Sequence, residues 1–532
     1  MSDLAHNLEQ EVRATIPCTD PATGERLGEV LALTPDEVRE RIARARKAQA
    51  EWGRTPFSER RKVLARLLEM LLEQADELCE EICRDAGKTL HNAMLGEIWP
   101  IAEKLRWHIK HGEKHLRSEV VSSGLLVHKR ARIEYHPLGV VGVITPWNFP
   151  LQNILGPTIP ALFAGNAVII KVSEWTSWSA APFQRLLDRC LKDCGYSTDL
   201  IQVITGYADT GAALVSGGVD KIVFTGSMRN GKRVLEESAK TLTPVILELG
   251  GKDPMIICDD ADLDQAAHAA CSAAFIASGQ MCLAAERTLV FDAVYEPFIA
   301  KVQDIALRLR QDAPLAGKLV DVGAMTMPAQ LEIVEQLVQD AISKGARVIA
   351  GGGRAKGKPS KHFFEPTILA DVTDEMRIMH EETFGPIMVI SKVANEDEAV
   401  RIANATEYGL SSSVFSKDHA RAKRIADRIV AGSTCINDWA LMYMVQELPF
   451  GGVKGSGFGR LNGREGLRAC TNVKAVIEDR LPLHRPIELF PGKRYDYEVT
   501  REGVRLLYAK GLAKKIDALV ELGKALRNRA MR

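Results

Sequence analysis

Cys282 is the cysteine whose neighbours best suit a nucleophile. It follows Ser278, Gly279 and Gln280, small or polar residues that let a backbone approach a ligand. A thiol nucleophile needs a pKa lowered by a helix N-terminus or a nearby cation, and the residues "CLAAER" are compatible with the start of such a helix. A buried structural thiol is the alternative, and the other nine cysteines fit that description. Cys282 is therefore the candidate nucleophile.

Two polar residues at the ends of apolar runs can assist a nucleophile. Glu248 lies near the end of the run in "VILELGGKDP", where burial would raise its pKa toward the range that a general base needs. Asn148 in "TPWNFP" follows another run, and its amide can donate to an oxyanion, a role worth about 3 kcal/mol in other enzymes. The alternatives are a glutamate that only bonds backbone amides and an asparagine that only forms a turn.

Two further segments can hold a nucleotide. "FTGSMRNG" places Gly226 and Ser227 in a turn whose N–H groups can face a phosphate, although the Gly-x-Gly-x-x-Gly fingerprint is absent. "IIKVSE" ends a strand with Lys171, which can neutralise a phosphate or bond a ribose hydroxyl. Glu174 can accept both hydroxyls of an adenosine ribose and repel a 2′-phosphate. Taken alone, the first segment could be a plain strand-to-helix turn and the second a surface ion pair. The two segments together favour a dinucleotide site, with NAD preferred over NADP.

Short, almost wholly apolar runs position these residues. From Tyr135 onwards "GVVGVIT", "AVIIK", "IQVI", "KIVFT" and "VILEL" alternate with helical patterns. Strands buried on both faces have this texture, and the alternation predicts a parallel sheet with crossover helices. In such sheets ligands bind at the carboxyl ends of the strands, which is where the candidate residues fall.

A second lobe with its own strands and helices follows. It extends from about Lys252 to the glycine-rich "LPFGGVKGSGFGR" and contains "RTLVF", "ARVIAGG" and "IMVISKV". We therefore predict an α/β fold with two doubly wound parallel-sheet lobes and a small separate sheet. The predicted divisions are a dinucleotide-binding domain (1–124 and 138–251), a catalytic domain (252–460), two strands of the small sheet (125–137 and 470–480) and a C-terminal extension (481–532).

Helical patterns precede the first sheet. A hydroxyl cap at Thr34, proline at the next position and Glu37 predict the start of an amphipathic helix. A second helical pattern begins at Ser58 and ends near Gly87, with Cys79 on its apolar face.

Composition excludes several classes of partner. Lys plus Arg and Asp plus Glu both number 69 in 532 residues, so no global field attracts nucleic acid. The ten cysteines include no Cys-x-x-Cys and no cluster with histidine at metal spacing, which predicts no metal site and a reducing compartment. The N-terminal residues lack a targeting pattern, and no apolar run is long enough to span a membrane. We expect a soluble cytoplasmic enzyme that acts on small molecules.

The motifs "PWNFP", "FTGS", "LELGGKDP", "GQMC", "EETFGP" and "PFGGVKGSGFGR", in this order, resemble the NAD(P)-dependent aldehyde dehydrogenase superfamily over roughly residues 20 to 480. The resemblance implies that Cys282 is the nucleophile and Glu248 the general base. It implies that Asn148 and the Cys282 backbone N–H hold the oxyanion. The cofactor contacts that it implies are Trp147, Lys171, Glu174, Gly226, Ser227, Glu382 and Phe384.

The resemblance also implies an activity and an assembly. The expected reaction is NAD-preferring oxidation of an aldehyde to the acid through a Cys282 thioester, in a homodimer or homotetramer whose small-sheet strands pair across subunits. The alternatives are an acylating relative that passes the thioester to coenzyme A and a catalytically silent binding or structural protein. "KVSEWTSWS" and the C-terminal extension resemble the branch that contains a plant membrane-anchored aldehyde dehydrogenase.

The sequence departs from the family pattern at several positions. Val172 stands where relatives commonly have proline, which alters the rigidity of the ribose loop. Trp175 and Trp178 are expected to narrow the adenine side. Leu461 replaces a glutamate, which puts any proton relay through that carboxylate in doubt.

The substrate is the least determined part of the prediction. Met281, Leu283 and residues 437–446 correspond to the aldehyde tunnel and contain no Arg or Lys. This favours a medium or long aliphatic, or an aromatic, aldehyde over a semialdehyde acid, although such clusters are often plain core. Within residues 437–446, the side chains that we expect to line the tunnel are Trp439, Leu441, Met442, Tyr443 and Met444.

The C-terminal tail is basic. Residues 493–532 hold eleven Lys/Arg against five Asp/Glu, with Leu512, Ile516, Leu519 and Leu526 at helical spacing. Such a helix can lie on an anionic membrane or reach a partner subunit, and a helix packed on its own oligomer is the alternative.

Overall fold

The computed structural model describes residues 13–480 and 489–531, so the expectations for residues 1–12 and for the first part of the extension, 481–488, lie outside it. Its strands are β1 Thr15–Thr19, β2 Arg26–Leu31, β3 Glu119–Val121, β4 Lys129–Pro137, β5 Val140–Ile144, β6 Ala167–Lys171, β7 Ile201–Ile204, β8 Lys221–Gly226, β9 Val245–Leu249, β10 Asp253–Ile257, β11 Ala285–Phe291, β12 Arg347–Ala350, β13 Thr367–Ala370, β14 Ile387–Val393, β15 Ser413–Phe415, β16 Cys435–Ile436, β17 Gly457–Phe458 and β18 Thr471–Asp479.

Helices cover both large sheets. They are α1 Pro35–Trp52, α2 Phe57–Glu73, α3 Ala75–Ala86, α4 Leu90–Ala93, α5 Trp99–Trp107, α6 Glu113–Leu116, α7 Pro150–Phe163, α8 Ala180–Asp193, α9 Ala208–Ser216, α10 Met228–Ala239, α11 Leu263–Phe275, α12 Tyr295–Ala306, α13 Pro328–Ser343, α14 Glu396–Asn404, α15 His419–Ala426, α16 Leu441–Met444, α17 Gly463–Arg468, α18 Asp496–Tyr508 and α19 Leu512–Ala530.

The first large sheet confirms the parallel strands predicted from the apolar runs. Its order is β17-β9-β8-β5-β6-β7, and the pairs among β5 to β9 are all parallel. β17, which belongs to the glycine-rich segment, pairs antiparallel with β9 and places Gly457 opposite Glu248. The segment that closes the second lobe therefore adds an edge strand to the first sheet, and the domain boundary at residue 460 stays a prediction.

The second large sheet has the order β12-β13-β14-β11-β10-β15-β16 and confirms the second α/β lobe. Every neighbouring pair is parallel except β12 with β13, which is antiparallel at the edge. All seven residues of β11 are buried because the strand lies between two neighbours and under helices on both faces.

The N-terminal helices match the sequence patterns except in one place. Thr34 accepts a hydrogen bond from the Glu37 N–H, and the Glu37 carboxylate accepts one from the Thr34 N–H, which completes the expected capping box. The helical pattern from Ser58 to Gly87 is not one helix, because the backbone leaves helical geometry at Gln74 (φ −108°, ψ 15°) and α3 starts afresh after it.

The small sheet contains three strands in the order β18-β4-β3. The sequence predicted two of them, and β4 begins at Lys129 rather than at residue 125 because residues 124–128 form turns.

The chain divides into two compact units, Met1–Glu119 with Ile133–Lys474, and Val120–Arg132 with Ala475–Arg532. In the second unit, α18 and α19 pack against each other, and α19 confirms the helix predicted from its leucine spacing. Its buried positions are Ala518 and Ala525. No helix in the described ranges is long and apolar enough to cross a membrane.

Candidate active site

One cavity of about 1190 Å³ in the first unit brings all of the candidate site residues together. It lies where the carboxyl ends of the first sheet's strands face loops of the second lobe. The residues predicted from sequence that line it are Trp147, Asn148, Lys171, Glu174, Gly226, Ser227, Glu248, Cys282, Glu382 and Phe384.

The loop that carries Cys282 has an unusual backbone. Ala277, Ser278 and Gly279 all have left-handed φ values of 49°, 57° and 70°. A Cβ on Gly279 would lie 2.0 Å from the Gly385 carbonyl oxygen, so only glycine fits there. Non-glycine residues held in this region cost on the order of 1–3 kcal/mol each and cluster at functional sites.

The expectation that "CLAAER" begins a helix is wrong. The chain enters β11 at Ala285, because pairing with β10 and β14 overrides the weak helical preference of the alanines. Cys282 therefore does not lie at the N-terminus of a helix formed by its own segment. Burial, followed by the nearby Glu248 carboxylate, instead raises the pKa of the Cys282 thiol well above its usual value.

Glu248 is buried at the end of β9 and faces that thiol. Burial raises its pKa to about 7, and a hydrogen bond from Cys282 partly offsets the rise. The Glu248 Oε1 atom has no hydrogen-bond partner among the described residues. The carboxyl group therefore titrates near neutral pH and has one oxygen that accepts no hydrogen bond from the described residues, which suits a general base.

Asn148 is oriented by two hydrogen bonds. Its Nδ2 donates to the Gln280 carbonyl oxygen at 3.1 Å, and its Oδ1 accepts from Asn153 Nδ2 at 3.2 Å. The amide NH2 group therefore points toward the Cys282 loop with one hydrogen still unused. Asn153 was not singled out from the sequence, although its position five residues later on α7 is a local signal.

A buried ion pair supports the start of α7, directly after Asn148. Glu97 Oε2 accepts hydrogen bonds from the N–H groups of Leu151 and Gln152 at 2.7 and 2.9 Å. Glu97 Oε1 pairs with Lys88 Nζ at 2.8 Å, and both side chains are almost wholly buried. Glu97 lies in a π-helical segment between α4 and α5, a feature that often marks functional regions.

The nucleotide end of the cavity has the predicted charges. Lys171 Nζ lies 3.6 Å from Glu174 Oε2, and burial lowers the pKa of this lysine. Ser227 caps α10 by accepting from the Asn230 N–H, which leaves the start of that helix at the cavity wall. Adjacent N–H groups, a cation and a ribose-binding carboxylate fit a dinucleotide.

The two tryptophans of the ribose loop differ in position. Trp175 lines the cavity, as expected for a residue that narrows the adenine side. Trp178 does not line it in the described structure, because its indole N–H donates to Glu81 Oε2 at 3.1 Å. The expectation for Trp178 is therefore wrong.

A buried glutamate that the sequence did not reveal holds the loop of Glu382 and Phe384. Glu286 on β11 accepts hydrogen bonds from the N–H groups of Thr383 and Phe384 at 2.7 and 2.8 Å. Lys252 Nζ neutralises it at 2.7 Å. This network comes from three distant segments, so no local pattern could have indicated it.

Glu382 and Phe384 reach the cavity from that loop. Glu382 Oε1 accepts from the Gly251 N–H at 3.1 Å, and burial raises the pKa of the carboxyl to about 8. The ring of Phe384 meets the Trp147 ring edge to face, with centroids 5.5 Å apart. Two of the predicted cofactor contacts thus touch each other.

The opposite end of the cavity is mainly apolar. The Trp439 indole donates to the Leu283 carbonyl oxygen at 2.6 Å, and the Tyr443 and Phe450 rings pack edge to face with centroids 4.9 Å apart. Met442 does not line the cavity in the described structure but is buried beside Cys435, which corrects the expectation for this residue. Leu461 does line it.

Lys104 also lines this end, and the sequence reasoning missed it. The two segments from which the sequence predicted an uncharged tunnel, around Cys282 and at 437–446, contain no Arg or Lys, whereas Lys104 comes from α5.

Among the described residues, no group of three or more His, Cys, Asp or Glu could hold a metal ion.

Comparison with known proteins decides the family. Residues 8–476 match the model of the aldehyde dehydrogenase family. The chain belongs to the aldehyde dehydrogenase family. As such it is an NAD(P)-dependent oxidoreductase that acts on aldehydes. The motif-based prediction of this superfamily is confirmed, whereas placement in the plant membrane-anchored branch stays a prediction.

Individual proteins match over most of their length. An aldehyde dehydrogenase-like protein of Saccharomyces cerevisiae is 40% identical over 483 residues, covering 88% of this chain and 75% of the yeast protein. Succinate-semialdehyde dehydrogenase [NADP(+)] of Deinococcus radiodurans is 37% identical over 457 residues, covering 86% and 93%. The structure of PnpE in complex with nicotinamide adenine dinucleotide superposes with a TM-score of 0.83 at 30% identity, covering 88% and 94%.

Proposed function

We propose that this aldehyde dehydrogenase oxidises an aldehyde with an aliphatic or aromatic body to the carboxylic acid through a thioester on Cys282, with NAD as the preferred cofactor. The observation that carries the proposal is the convergence of Cys282, Glu248 and Asn148 in one cavity, with the Glu248 carboxyl facing the thiol and titrating near neutral pH. Trp147, Lys171, Glu174, Gly226, Ser227, Glu382 and Phe384 would hold the cofactor.

The first half of the reaction forms a covalent bond to sulfur. The Cys282 thiol, which donates a hydrogen bond to Glu248, releases its proton to water, and the thiolate sulfur bonds to the aldehyde carbon. The carbonyl oxygen gains the electron pair of the former π bond, and the Asn148 amide with the Cys282 N–H stabilises its negative charge. A nicotinamide, when bound, would supply the hydride acceptor. The carbonyl π bond forms again from the oxyanion's electron pair as the C–H bond breaks and its hydrogen leaves as hydride, and a Cys282 thioester remains.

The second half hydrolyses the thioester. Glu248, in its carboxylate form, removes a proton from a water molecule through its unpartnered Oε1. The water oxygen bonds to the thioester carbon, and the same donors hold the new oxyanion. The carbon–sulfur bond then breaks, and its electron pair returns to the Cys282 sulfur. The acid leaves as a carboxylate.

The apolar end of the cavity supports an aldehyde with an aliphatic or aromatic body. Leu283, Trp439, Tyr443 and Phe450 offer rings and methyl groups to such a chain. The test is NADH formation with a series of straight-chain and aromatic aldehydes, in which kcat/KM should rise with the apolar area of the substrate. The highest kcat/KM for acetaldehyde would contradict this substrate class.

Two alternatives differ in their predicted products. A coenzyme A-acylating enzyme would make a thioester product, and a silent family member would bind NAD without turnover. The Glu248 carboxyl beside Cys282 favours hydrolysis, since its free oxygen suits the activation of water. Free acid, formed at the same rate with and without coenzyme A, is the expected product.

Glu174 supports the preference for NAD. Its carboxylate lies beside Lys171 at the cavity wall and would repel a 2′-phosphate. Glu174→Gln is expected to lower the ratio of kcat/KM for NAD to that for NADP by at least about tenfold, because about 1.4 kcal/mol of discrimination corresponds to that factor. Glu174→Asp, which keeps the charge, is the control. An equal ratio in Glu174→Gln and wild type would mean that another residue sets the preference.

The small sheet supports a homodimer or homotetramer. β18 is an edge strand, and its Val473 and Ile477 side chains are each 57% exposed. Unprotected edge strands pair readily with another chain. We expect Val473→Lys with Ile477→Lys to lower the molar mass measured by light scattering during size exclusion to that of a smaller assembly. The same mass for variant and wild type would place the interface elsewhere.

The C-terminal helices support peripheral binding of the enzyme, which we expect in the cytoplasm, to an anionic membrane. Leu512, Ile516 and Leu519 on α19 are more than half exposed, and Lys514 and Lys515 lie among them. Binding to vesicles that contain phosphatidylserine, but not to neutral vesicles, is expected in a flotation assay at low salt. Absence of binding to either kind of vesicle would favour a packing role for α19.

The cysteines support a reducing compartment, because all ten of them are free thiols.

A further inference from the structure

Lys104 is a deeply buried cation at the wall of the cavity. Its residue is 1% exposed, and it lies on α5. The Nζ atom donates to Asn462 Oδ1 at 2.5 Å. This partner is a neutral amide, so it orients the amine without balancing the charge of an ammonium group.

Two other lysines are buried to the same degree, and each has a counter-charge. Lys88 pairs with Glu97 at 2.8 Å, and Lys252 pairs with Glu286 at 2.7 Å. A buried charge without a partner is costly, so natural proteins usually supply one. Lys104 forms no such ion pair within residues 13–480 and 489–531. Of the three buried lysines, Lys104 is the one that lines the cavity.

The titratable groups around Lys104 supply no counter-charge at neutral pH. Burial raises the pKa of the Cys470 thiol to about 11, so this neighbour stays protonated. Burial lowers the pKa of His108, the next turn of the helical segment, to about 3, and its Nδ1 bonds the Lys104 carbonyl oxygen. Both neighbours are neutral near pH 7, so a negative partner for the ammonium form would come from the cavity.

Lys104 lies at the substrate end of that cavity. Gly96, Pro100 and Lys104 follow one another at intervals of four residues along the helical segment, and all three line the cavity. Leu461 and Tyr443 line the same space and carry no charge there. A chain attached to Cys282 and extending along these apolar side chains therefore leads toward Lys104.

We propose that Lys104, oriented by Asn462, binds the carboxylate at the far end of an ω-oxo acid, so that the preferred aldehydes have an apolar chain ending in a carboxylate. The carboxylate would supply the missing counter-charge, and the apolar walls would contact the chain. This inference rests on the proposed dehydrogenase activity and names its substrate class. It reverses the sequence-based preference against semialdehyde acids, because Lys104 lies outside the two segments on which that preference rested.

The test compares ω-oxo acids with unsubstituted aldehydes of matched chain length. For each pair, kcat/KM is measured in wild type and in Lys104→Met, and the ratio of acid to aldehyde is calculated. At the best chain length we expect wild type to favour the acid and Lys104→Met to lower the ratio at least about tenfold, because removal of one partner of a buried charge pair is costly. Lys114→Met, at an exposed position on α6, should keep the wild-type ratio. The same ratio in Lys104→Met and wild type would overturn the proposal.

Two readouts separate this proposal from the proposed function. Turnover of the unsubstituted aldehydes by wild type tests the dehydrogenase alone. Adipate, which contains no aldehyde, should raise the melting temperature of the NAD-containing wild type but not of Lys104→Met. Lys104→Gln serves as a second variant if the methionine does not fold. A rise of the same size in wild type and in a folded Lys104 variant would also overturn the proposal.

The pH dependence gives a further check. Burial lowers the pKa of Lys104 to about 7, and only the protonated amine attracts a carboxylate. The ratio of acid to aldehyde should therefore be highest below pH 7 and fall as pH rises in wild type, whereas it should be flat in Lys104→Met. A flat ratio in wild type would contradict a role for the ammonium group.

Discussion

Replacing Cys282 with alanine is expected to abolish aldehyde oxidation while NAD binding persists. Removal of a covalent nucleophile commonly lowers kcat by about 10⁴-fold or more, because the remaining donors cannot replace the covalent step. The cavity wall and the cofactor contacts come from other segments, so the affinity for NAD, measured by calorimetry, should change by less than about threefold, equivalent to about 0.7 kcal/mol.

A second cysteine provides the control for this variant. Cys194 is the other cysteine that is only half-buried, and it lies at the end of α8 away from the cavity lining. Cys194→Ala should oxidise aldehydes at the wild-type rate. Substantial activity in Cys282→Ala would show that the thiol is not the nucleophile.

Replacing Glu248 with glutamine is expected to slow release of the acid. Loss of a general base costs about 10²- to 10⁴-fold in rate, and the Asn148 donors remain in place to support one round of oxidation. Rapid mixing should therefore show a burst approaching one NADH per active site, followed by slow turnover. Glu236→Gln, at an exposed position on α10, should behave as wild type. A steady-state rate equal to that of wild type would rule out Glu248 as the base.

The pH dependence of thioester hydrolysis by wild type should report the ionisation of the Glu248 carboxyl group. Glu248 acts as a carboxylate, and burial raises its pKa to about 7. The rate of thioester hydrolysis should therefore rise as pH increases through 7 and level off above it, as followed by single-turnover mixing. Hydrolysis that is independent of pH between 5 and 9, a range of about two units on either side of that pKa, would contradict this role.

Features with a local signature were predictable from sequence. Parallel strands buried on both faces appear in a sequence as short apolar runs, so the sequence alone indicates where β5 to β9 lie. The polar residues directly after those runs, such as Asn148 and Lys171, then had to meet at one edge of the sheet. The cavity lining agrees with that inference.

Features that depend on distant pairing were not predictable. Glu286 holds the Phe384 loop from about a hundred residues away, and Lys104 meets Asn462 across most of the chain. The segment after Cys282 looked helical because its alanines favour helix locally, but two neighbouring strands determine its structure. The residues adjacent in the sequence do not indicate these distant side chains and strands.

The most direct test of the central claim is the mass of the Cys282 peptide after reaction. Glu248→Gln is mixed with NAD and an aliphatic aldehyde, quenched with acid, digested and analysed by mass spectrometry. The peptide with Cys282 should carry the acyl group of that aldehyde, at a higher occupancy than in quenched wild type, and the peptides with the other nine cysteines should be unmodified. Turnover by wild type with an unmodified Cys282 peptide in both proteins, or an acyl group on another cysteine, would contradict a mechanism through the Cys282 thioester.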